Sequence, residues 1–287
     1  MVFSYRPKPS VYSVSITGHR CELCCRHCQG KYLTGMEAAE NPERLLEAFL
    51  KARAKGAKSI LISGGFDKRG MLPVMDFLSA IRKGKNRTGL VVEVHSGLIK
   101  EVDKLMDSGV DALLLDVIGD QETIEEYLGG AWSAGEYLEV LREGKRFISL
   151  VAAHILVGVN EGKIKGEFEA VDMVAEAKAD ALSILTPMDA KSPEVGEIVE
   201  VMDYARERFK GHLTLGCMRA KGKNRQEIER FAVDLGFDGI ANPLKRTLMY
   251  AQSDGVKVVE VEGCCVFTPD RIPKSTRGCL DAHLEGR

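Results

Sequence analysis

The chain has 287 residues, of which 45% are hydrophobic, so it is long enough to bury one large core, and α/β barrels of this size are common as single domains. Its 40 basic and 42 acidic side chains give a formal net charge of -2 with no long block of either sign, which argues against nucleic acid as a partner. No segment offers the ~20 uninterrupted apolar residues of a membrane span, and the first residues contain no run of signal-peptide length. We therefore expect a cytoplasmic protein with no membrane partner, in which the eight cysteines are metal ligands, catalytic thiols or buried small residues rather than disulfides.

Eight apolar, β-branched runs alternate with amphipathic segments of helical length. Continuous apolar strands separated by helices are typical of a parallel sheet covered on both faces. The pattern predicts an α/β fold, a TIM-type (β/α) barrel that is complete or slightly open, over residues 1–243. Residues 244–287 form a short strand and a cysteine-containing, loop-rich tail, which we expect to be a C-terminal extension packed over the barrel mouth. The predicted strands cover residues 11–17, 58–63, 89–96, 111–118, 147–158, 181–186, 212–217 and 238–242.

A cysteine loop follows the first predicted strand. Cys21, Cys25 and Cys28 form a C-x-x-x-C-x-x-C pattern. Short spacers let one loop ligate three irons of a [4Fe-4S] cluster, which leaves the fourth iron open to a ligand. Zinc held by two C-x-x-C pairs is the alternative, but the neighbours Cys24 and Cys25 project in different directions and fit one tetrahedron poorly. The loop therefore predicts the cluster, with Cys24 as a small residue packed beneath it.

The cysteine pattern resembles that of the radical S-adenosylmethionine (SAM) superfamily. The resemblance implies that SAM binds the open iron and is cleaved reductively to a 5'-deoxyadenosyl radical. The segment Ser63-Gly64-Gly65-Phe66 is similar to the superfamily's G-G-E-type segment, with Phe66 in place of the acidic residue. The segment AAHILVGVNEG is similar to the strand that lies along the adenine, with His154 in place of its first glycine.

Polar side chains also lie at the ends of the third and fourth predicted strands, where a barrel collects its catalytic residues. Ribose hydroxyls and the SAM carboxylate are natural partners for them, although a buried structural histidine is the alternative for His95. The predicted SAM contacts are Ser63, Gly64, Gly65, His95, Asp116 and Ile155.

The remaining cysteines suggest a second iron-sulfur cluster. Clusters take thiolate ligands from distant segments, and one cysteine ends the seventh predicted strand while three lie in the tail. Inert buried thiols are the alternative. The candidate ligands of this auxiliary cluster are Cys217, Cys264, Cys265 and Cys279.

Four further segments resemble biotin synthase and, more closely, the archaeal two-protein lipoyl synthases, over most of residues 11 to 245: VSITGHRCELCCRHCQGKYL, VHSGLI, LLLDVIG and LGCMRAKGK. The resemblance implies a sulfurtransferase of lipoate biosynthesis that inserts sulfur from the auxiliary cluster into an octanoyl chain on a carrier protein. It implies three kinds of partner: an acyl carrier or lipoyl-domain protein, a second radical SAM subunit and an electron donor protein. It also suggests Ser275 as a serine ligand of the cluster and Arg219 as its cap.

Two other functions fit the same residues. One is a radical SAM enzyme with a single cluster that performs a rearrangement or a methyl transfer. The other is a metal-binding protein without catalysis. Iron and sulfide content separates them, since about eight irons indicate two cubane clusters, about four indicate one, and zinc indicates the last.

Overall fold

A computed structural model describes residues 1–188, 192–219 and 221–268. In these residues a single parallel sheet curls into an open barrel, with the strand order β11-β1-β10-β9-β8-β7-β6-β5-β4-β2-β3. The predicted open α/β barrel is confirmed, and each of the eight predicted strands is present. The strands are β1 (Val2–Arg6), β2 (Val11–Ser15), β3 (Glu37–Ala38), β4 (Ser59–Ser63), β5 (Val91–His95), β6 (Ala112–Asp116), β7 (Leu150–Leu156), β8 (Ala181–Leu185), β9 (His212–Leu215), β10 (Gly239–Ala241) and β11 (Val258–Glu262).

Helices cover the outer face of the sheet because each carries an apolar stripe toward it. In the first helix Leu45 and Phe49 are fully buried, and the side chain of Asn41 caps the start by accepting a hydrogen bond from the Arg44 amide at 2.9 Å. In the described part of the chain no helix is long and apolar enough to cross a membrane. The helices are α1 (Pro42–Ala54), α2 (Leu78–Thr88), α3 (Val102–Ser108), α4 (Gly135–Phe147), α5 (Glu167–Glu176), α6 (Val195–Arg208), α7 (Gly222–Asp234) and α8 (Lys245–Ser253), with 3-10 turns at Lys31–Gly35 and Met75–Phe77 and a π-helix at Thr123–Leu128.

Side chains alternate between the two faces of each strand, which decides what enters the barrel. On β7, Leu150 and Ala152 belong to the inner cluster, whereas Val151 and Ile155 pack in the larger cluster under the helices. Since successive residues of a strand point to opposite faces, His154 faces the interior with Leu150 and Ala152. The interior of this barrel therefore receives an imidazole in the middle of an apolar strand.

The segment that follows β11 fills the amino-terminal end of the barrel. Cys265 and Phe267 pack against the first residues of β5 to β8, and the hydroxyl of Tyr5 donates a hydrogen bond to the Phe267 carbonyl at 2.8 Å. Strand C-termini, which form the mouth, lie at the other end. The predicted cover over the mouth stays a prediction for residues 269–287, which lie outside the described residues together with Ser275 and Cys279.

A buried ion pair joins the end of β9 to α7. The guanidinium of Arg219 lies 3.1 Å from Glu229 Oε1, and both side chains are almost completely buried. Arg219 also donates to the Ala241 carbonyl at 2.6 Å, and Thr247 donates its hydroxyl proton to the second oxygen of Glu229 at 2.7 Å. Arg219 is thus engaged with the wall between sheet and helix, which differs from the cluster cap suggested by the resemblance.

Replacing Glu229 with alanine is expected to destabilise the fold by about 3 to 5 kcal/mol, because it leaves the Arg219 charge buried without its partner. Denaturant unfolding measures the free energy of unfolding. The matched control is Glu227→Ala, an exposed position two residues earlier on the same helix, which is expected to change it by less than about 0.5 kcal/mol. Equal effects at the two positions would contradict the assigned role.

Candidate active site

The cysteine loop after β2 is held by backbone contacts to two neighbouring segments. The amide of Glu22 donates to the Phe66 carbonyl at 2.9 Å, and the amide of Arg26 donates to the Tyr127 carbonyl at 3.0 Å. The guanidinium of Arg26 also lies over the Tyr127 ring, 5.0 Å from its centroid. The loop is thereby fixed between the end of β4 and the π-helix after β6, at the carboxyl ends of the strands.

The three thiols of the predicted cluster lie on the inner side of this loop. Cys25 is buried and Cys21 and Cys28 are half-buried, and a hydrogen bond between Cys25 and Cys28 lowers the pKa of the Cys28 thiol and raises that of Cys25. A lowered pKa favours the thiolate, the form that binds iron. Cys24 is exposed, with a left-handed backbone at φ 46°, and its packing beneath the cluster stays a prediction.

The glycine pair after β4 has a packing reason in addition to its predicted role at SAM. A Cβ atom on Gly65 would lie 2.0 Å from the Arg20 carbonyl oxygen and 2.4 Å from the Cys21 Cα, and one on Gly64 would lie 2.9 Å from Thr17 Oγ1. The Gly65 amide donates to that same Thr17 hydroxyl at 2.6 Å. Glycine is required here because the backbone of the cysteine loop rests directly on it.

Two of the predicted SAM contacts belong to a compact charged group inside the barrel. Asp116 Oδ2 lies 3.2 Å from His95 Nε2, and Asp116 Oδ1 lies 3.3 Å from His154 Nδ1. Burial inside the barrel raises the pKa of Asp116. The two imidazoles outweigh this effect and hold the pKa of the carboxyl well below its usual range. Burial would lower the pKa of His95, yet the carboxylate of Asp116 raises it above the ordinary value. His154 is the member of this group that the sequence analysis did not include among the site residues.

A cleft next to the cysteine loop lies along the end of β7. Its cavity volume is about 170 Å³. Ile155, predicted to pack on adenine, is only 1% exposed and belongs to the outer core, so a contact with a ligand in the cleft would have to use its backbone. The residues that line the cleft come from the loop, the π-helix, the end of β7 and the segment after β8, and include Cys28, Gln29, Tyr127, Leu156, Gly158 and Pro187.

The described cysteines of the predicted auxiliary cluster lie in two places. Cys217, exposed, follows β9, and Cys264 and Cys265 lie inside the barrel, where Cys265 Sγ is 3.6 Å from Ser183 Oγ. Near Cys264 lies the fully buried Glu93, whose carboxylate oxygens have no hydrogen-bond partner in the described part of the chain. Burial raises the pKa of Glu93 to about 7.

Comparisons with known proteins agree with this geometry. The sequence profile described as the Radical SAM superfamily matches residues 15–171, which include the cysteine loop, the glycine pair and the His95, Asp116 and His154 group. The chain therefore belongs to the radical SAM superfamily, and the family implies a [4Fe-4S] cluster and SAM. No curated protein sequence matches significantly.

Solved structures show the same fold at low sequence identity. The crystal structure of methylornithine synthase (PylB) is 15% identical with a TM-score of 0.57, over 90% of this chain and 83% of that one. HydG, a maturase of the [FeFe]-hydrogenase, is 15% identical with a TM-score of 0.60, and the match covers 84% of this chain but only 56% of that one. The HMG-CoA lyase of Brucella melitensis is 10% identical with a TM-score of 0.51, over 93% of this chain and 96% of that one. These likenesses concern the barrel alone.

Alanine at Cys21, Cys25 or Cys28 is expected to abolish SAM cleavage by the reduced enzyme, because each removes a ligand of the cluster. The measurement is 5'-deoxyadenosine formed under anaerobic conditions. Cys24→Ala is the matched control within the same loop and is expected to retain activity. Cleavage that survives Cys25→Ala would contradict the assignment.

Alanine at Gly65 is expected to lower cluster iron and SAM cleavage at least tenfold, since the added methyl displaces the Arg20 and Cys21 backbone. Iron content after anaerobic reconstitution measures the effect. Gly35→Ala tests the same change at the end of the same loop, where a Cβ meets nothing within 4 Å, and should leave the iron content unchanged. If Gly65→Ala retains full iron content, the glycine pair does not support the loop.

Proposed function

We propose that this radical SAM enzyme inserts sulfur into an octanoyl chain carried on a lysine of another protein, in the manner of a lipoyl synthase. The observation that carries the proposal is the presence of two separate sets of cysteines in one barrel. The first set is the loop of Cys21, Cys25 and Cys28, and the second comes from the end of β9 and from the segment after β11. Radical sulfur insertion needs both a radical source and a sulfur donor within reach of one carbon chain.

The SAM molecule is assigned to the space between the cysteine loop, the glycine pair and the cleft along β7. When bound, the cluster of the cysteine loop supplies the electron that cleaves SAM to methionine and the 5'-deoxyadenosyl radical. The backbone at Gly64 and Gly65 lies next to Cys21, and we assign the methionine end to it. The cleft, with Leu156 and Gly158 on one wall and Tyr127 on another, is suited to the adenosyl end.

The second set of thiols fits an iron-sulfur cluster in its chemistry. Ser183 on β8 relates the two segments: its Oγ lies 3.6 Å from Cys265 Sγ, and a Cβ atom on Gly216, the residue before Cys217, would lie 2.8 Å from the same Oγ. Thiolates from separate segments are ordinary ligands of such clusters, and when bound this one would supply the sulfide that traps a carbon radical. Cys279 belongs to the same proposal and lies outside the described residues.

The proposal includes three partners. The octanoyl chain arrives on an acyl carrier or lipoyl-domain protein, electrons come from a donor protein, and a second radical SAM subunit shares the reaction. Arg26 and Lys31 line the cleft beside the cysteine loop and are exposed, and we assign the entry of the lysine-borne chain to their side.

Anaerobically purified protein is expected to hold about eight irons and eight sulfides per chain, as two cubane clusters require. Alanine at Cys217 or at Cys265 is expected to reduce this to about four, whereas Cys24→Ala, an exposed thiol in the first loop, keeps about eight. With SAM, reductant and an octanoylated peptide, the enzyme should form 5'-deoxyadenosine and a peptide heavier by sulfur.

A wild-type content of about four irons, or 5'-deoxyadenosine without any thiolated peptide, would leave the single-cluster rearrangement or methyl transfer as the function. Zinc in place of iron would leave a metal-binding protein without catalysis as the function. Each outcome is read from the same preparation.

A further inference from the structure

We propose that His95, Asp116 and His154 form a binding site for one divalent first-row metal ion, separate from the cysteine loop and from the thiols near β9. The ligand atoms are His95 Nε2, His154 Nδ1 and a carboxylate oxygen of Asp116. Atoms of all three residues lie within 4.8 Å of one another. This inference is independent of sulfur insertion, since it uses none of the cysteines.

The three side chains are brought together by three adjacent strands. They end or lie near the end of β5, β6 and β7, and Asp116 is the register partner of His154 across the sheet. The edges of Phe66 and His154 pack against the His95 ring, each with centroids 5.8 Å apart. Rigid strands and packed rings hold the three groups in one arrangement, as a metal site requires.

The distances match those between neighbouring ligands of a metal ion. With ligands at about 2.1 Å, tetrahedral or octahedral coordination places neighbouring ligand atoms about 3.0 to 3.4 Å apart. The carboxylate oxygens of Asp116 lie 3.2 Å from the nitrogen of His95 and 3.3 Å from that of His154. Oδ2 of Asp116 makes the approach to His95 and Oδ1 the approach to His154, so the carboxylate stands at such a distance from each imidazole.

The hydrogen bonding of His95 also leaves one ring nitrogen available to a ligand between these groups. Its Nδ1 lies 3.5 Å from Ser63 Oγ, so this nitrogen has a partner on the outer side. Its Nε2 is buried and forms no hydrogen bond of acceptable geometry in the described part of the chain, although it faces Asp116. This buried nitrogen faces the other two groups and is the atom that His95 offers to a metal ion.

Two imidazoles and one carboxylate are the ligand set of iron(II), manganese(II) and zinc(II) sites with open positions. The side chain of Asp116 is 51% exposed although its strand position faces the barrel interior, so the open positions face the mouth. An ion there would coordinate an oxygen or nitrogen atom of the substrate. The hydroxyl of Ser63 would orient His95 from behind, as partners of metal-bound histidines commonly do.

The assignment gives His95 and Asp116 a role other than the SAM contact predicted for them from the sequence, and one set of measurements separates the two roles. The full-length, anaerobically reconstituted enzyme is dialysed against Mn²⁺ and, in parallel, against Co²⁺, and the bound metal and the iron are both quantified per chain.

One ion in addition to the iron is expected per chain. Asp116→Asn and His154→Gln should weaken its binding at least tenfold without changing SAM affinity or iron content. His19→Ala removes an exposed histidine of the cysteine loop and should change neither the binding of the additional ion nor the SAM affinity.

The proposal is overturned if the wild-type enzyme binds neither ion saturably, or if binding survives both Asp116→Asn and His154→Gln. It is also overturned if the wild-type chain holds no additional ion and both variants lose SAM affinity, since His95 and Asp116 then contact SAM. Asp116→Asn preserves the shape of the side chain, and its unchanged iron content shows that the barrel has folded.

Discussion

The close approach of the Cys21 backbone to Gly65 is the contact on which the rest of the site depends. The cysteine loop has no regular structure of its own until Lys31, so its conformation is imposed by what it touches. It rests on the loop after β4, and the π-helix after β6 supports it from the other side through Tyr127 and Leu128. Three thiols can bind one metal cluster only when such a loop is held in one conformation. Here the segments after neighbouring strands of the barrel hold it.

The fold could be predicted from the sequence because its strongest signal is local. Every apolar run that was read as a strand is one, because a strand buried on both faces needs continuous apolar residues. β1 was not predicted, and it is stabilised by pairing with β10 and β11, which lie more than 230 residues away in sequence. The two-residue β3 gives no periodic signal, since it pairs only with the end of β2.

The candidate site could be predicted only in part. The cysteine spacing is a local pattern and located the loop, but the direction of each side chain depends on strand parity. The resemblance to an adenine-binding strand selects Ile155, yet Ile155 lies in the outer core and its neighbour His154 faces inward. Counting alternate residues from Leu150 would have identified His154. The place of Cys264 and Cys265 could not be found in this way, because their segment has no periodicity and takes its position from the barrel that it fills.

The hydrogen bond between Tyr5 and Phe267 has a consequence for how the chain folds. Forming this hydrogen bond closes a loop of 262 residues. Closure of the loop costs conformational entropy of the chain before the contact can stabilise the barrel interior. Folding rates fall as contacts become more distant in sequence. The ribosome releases the cysteine loop long before Phe267 has been made, so the iron-binding thiols are exposed to the cell during synthesis while the amino-terminal end of the barrel is still open. The cysteines of the loop are therefore synthesised well before the residue that completes the core.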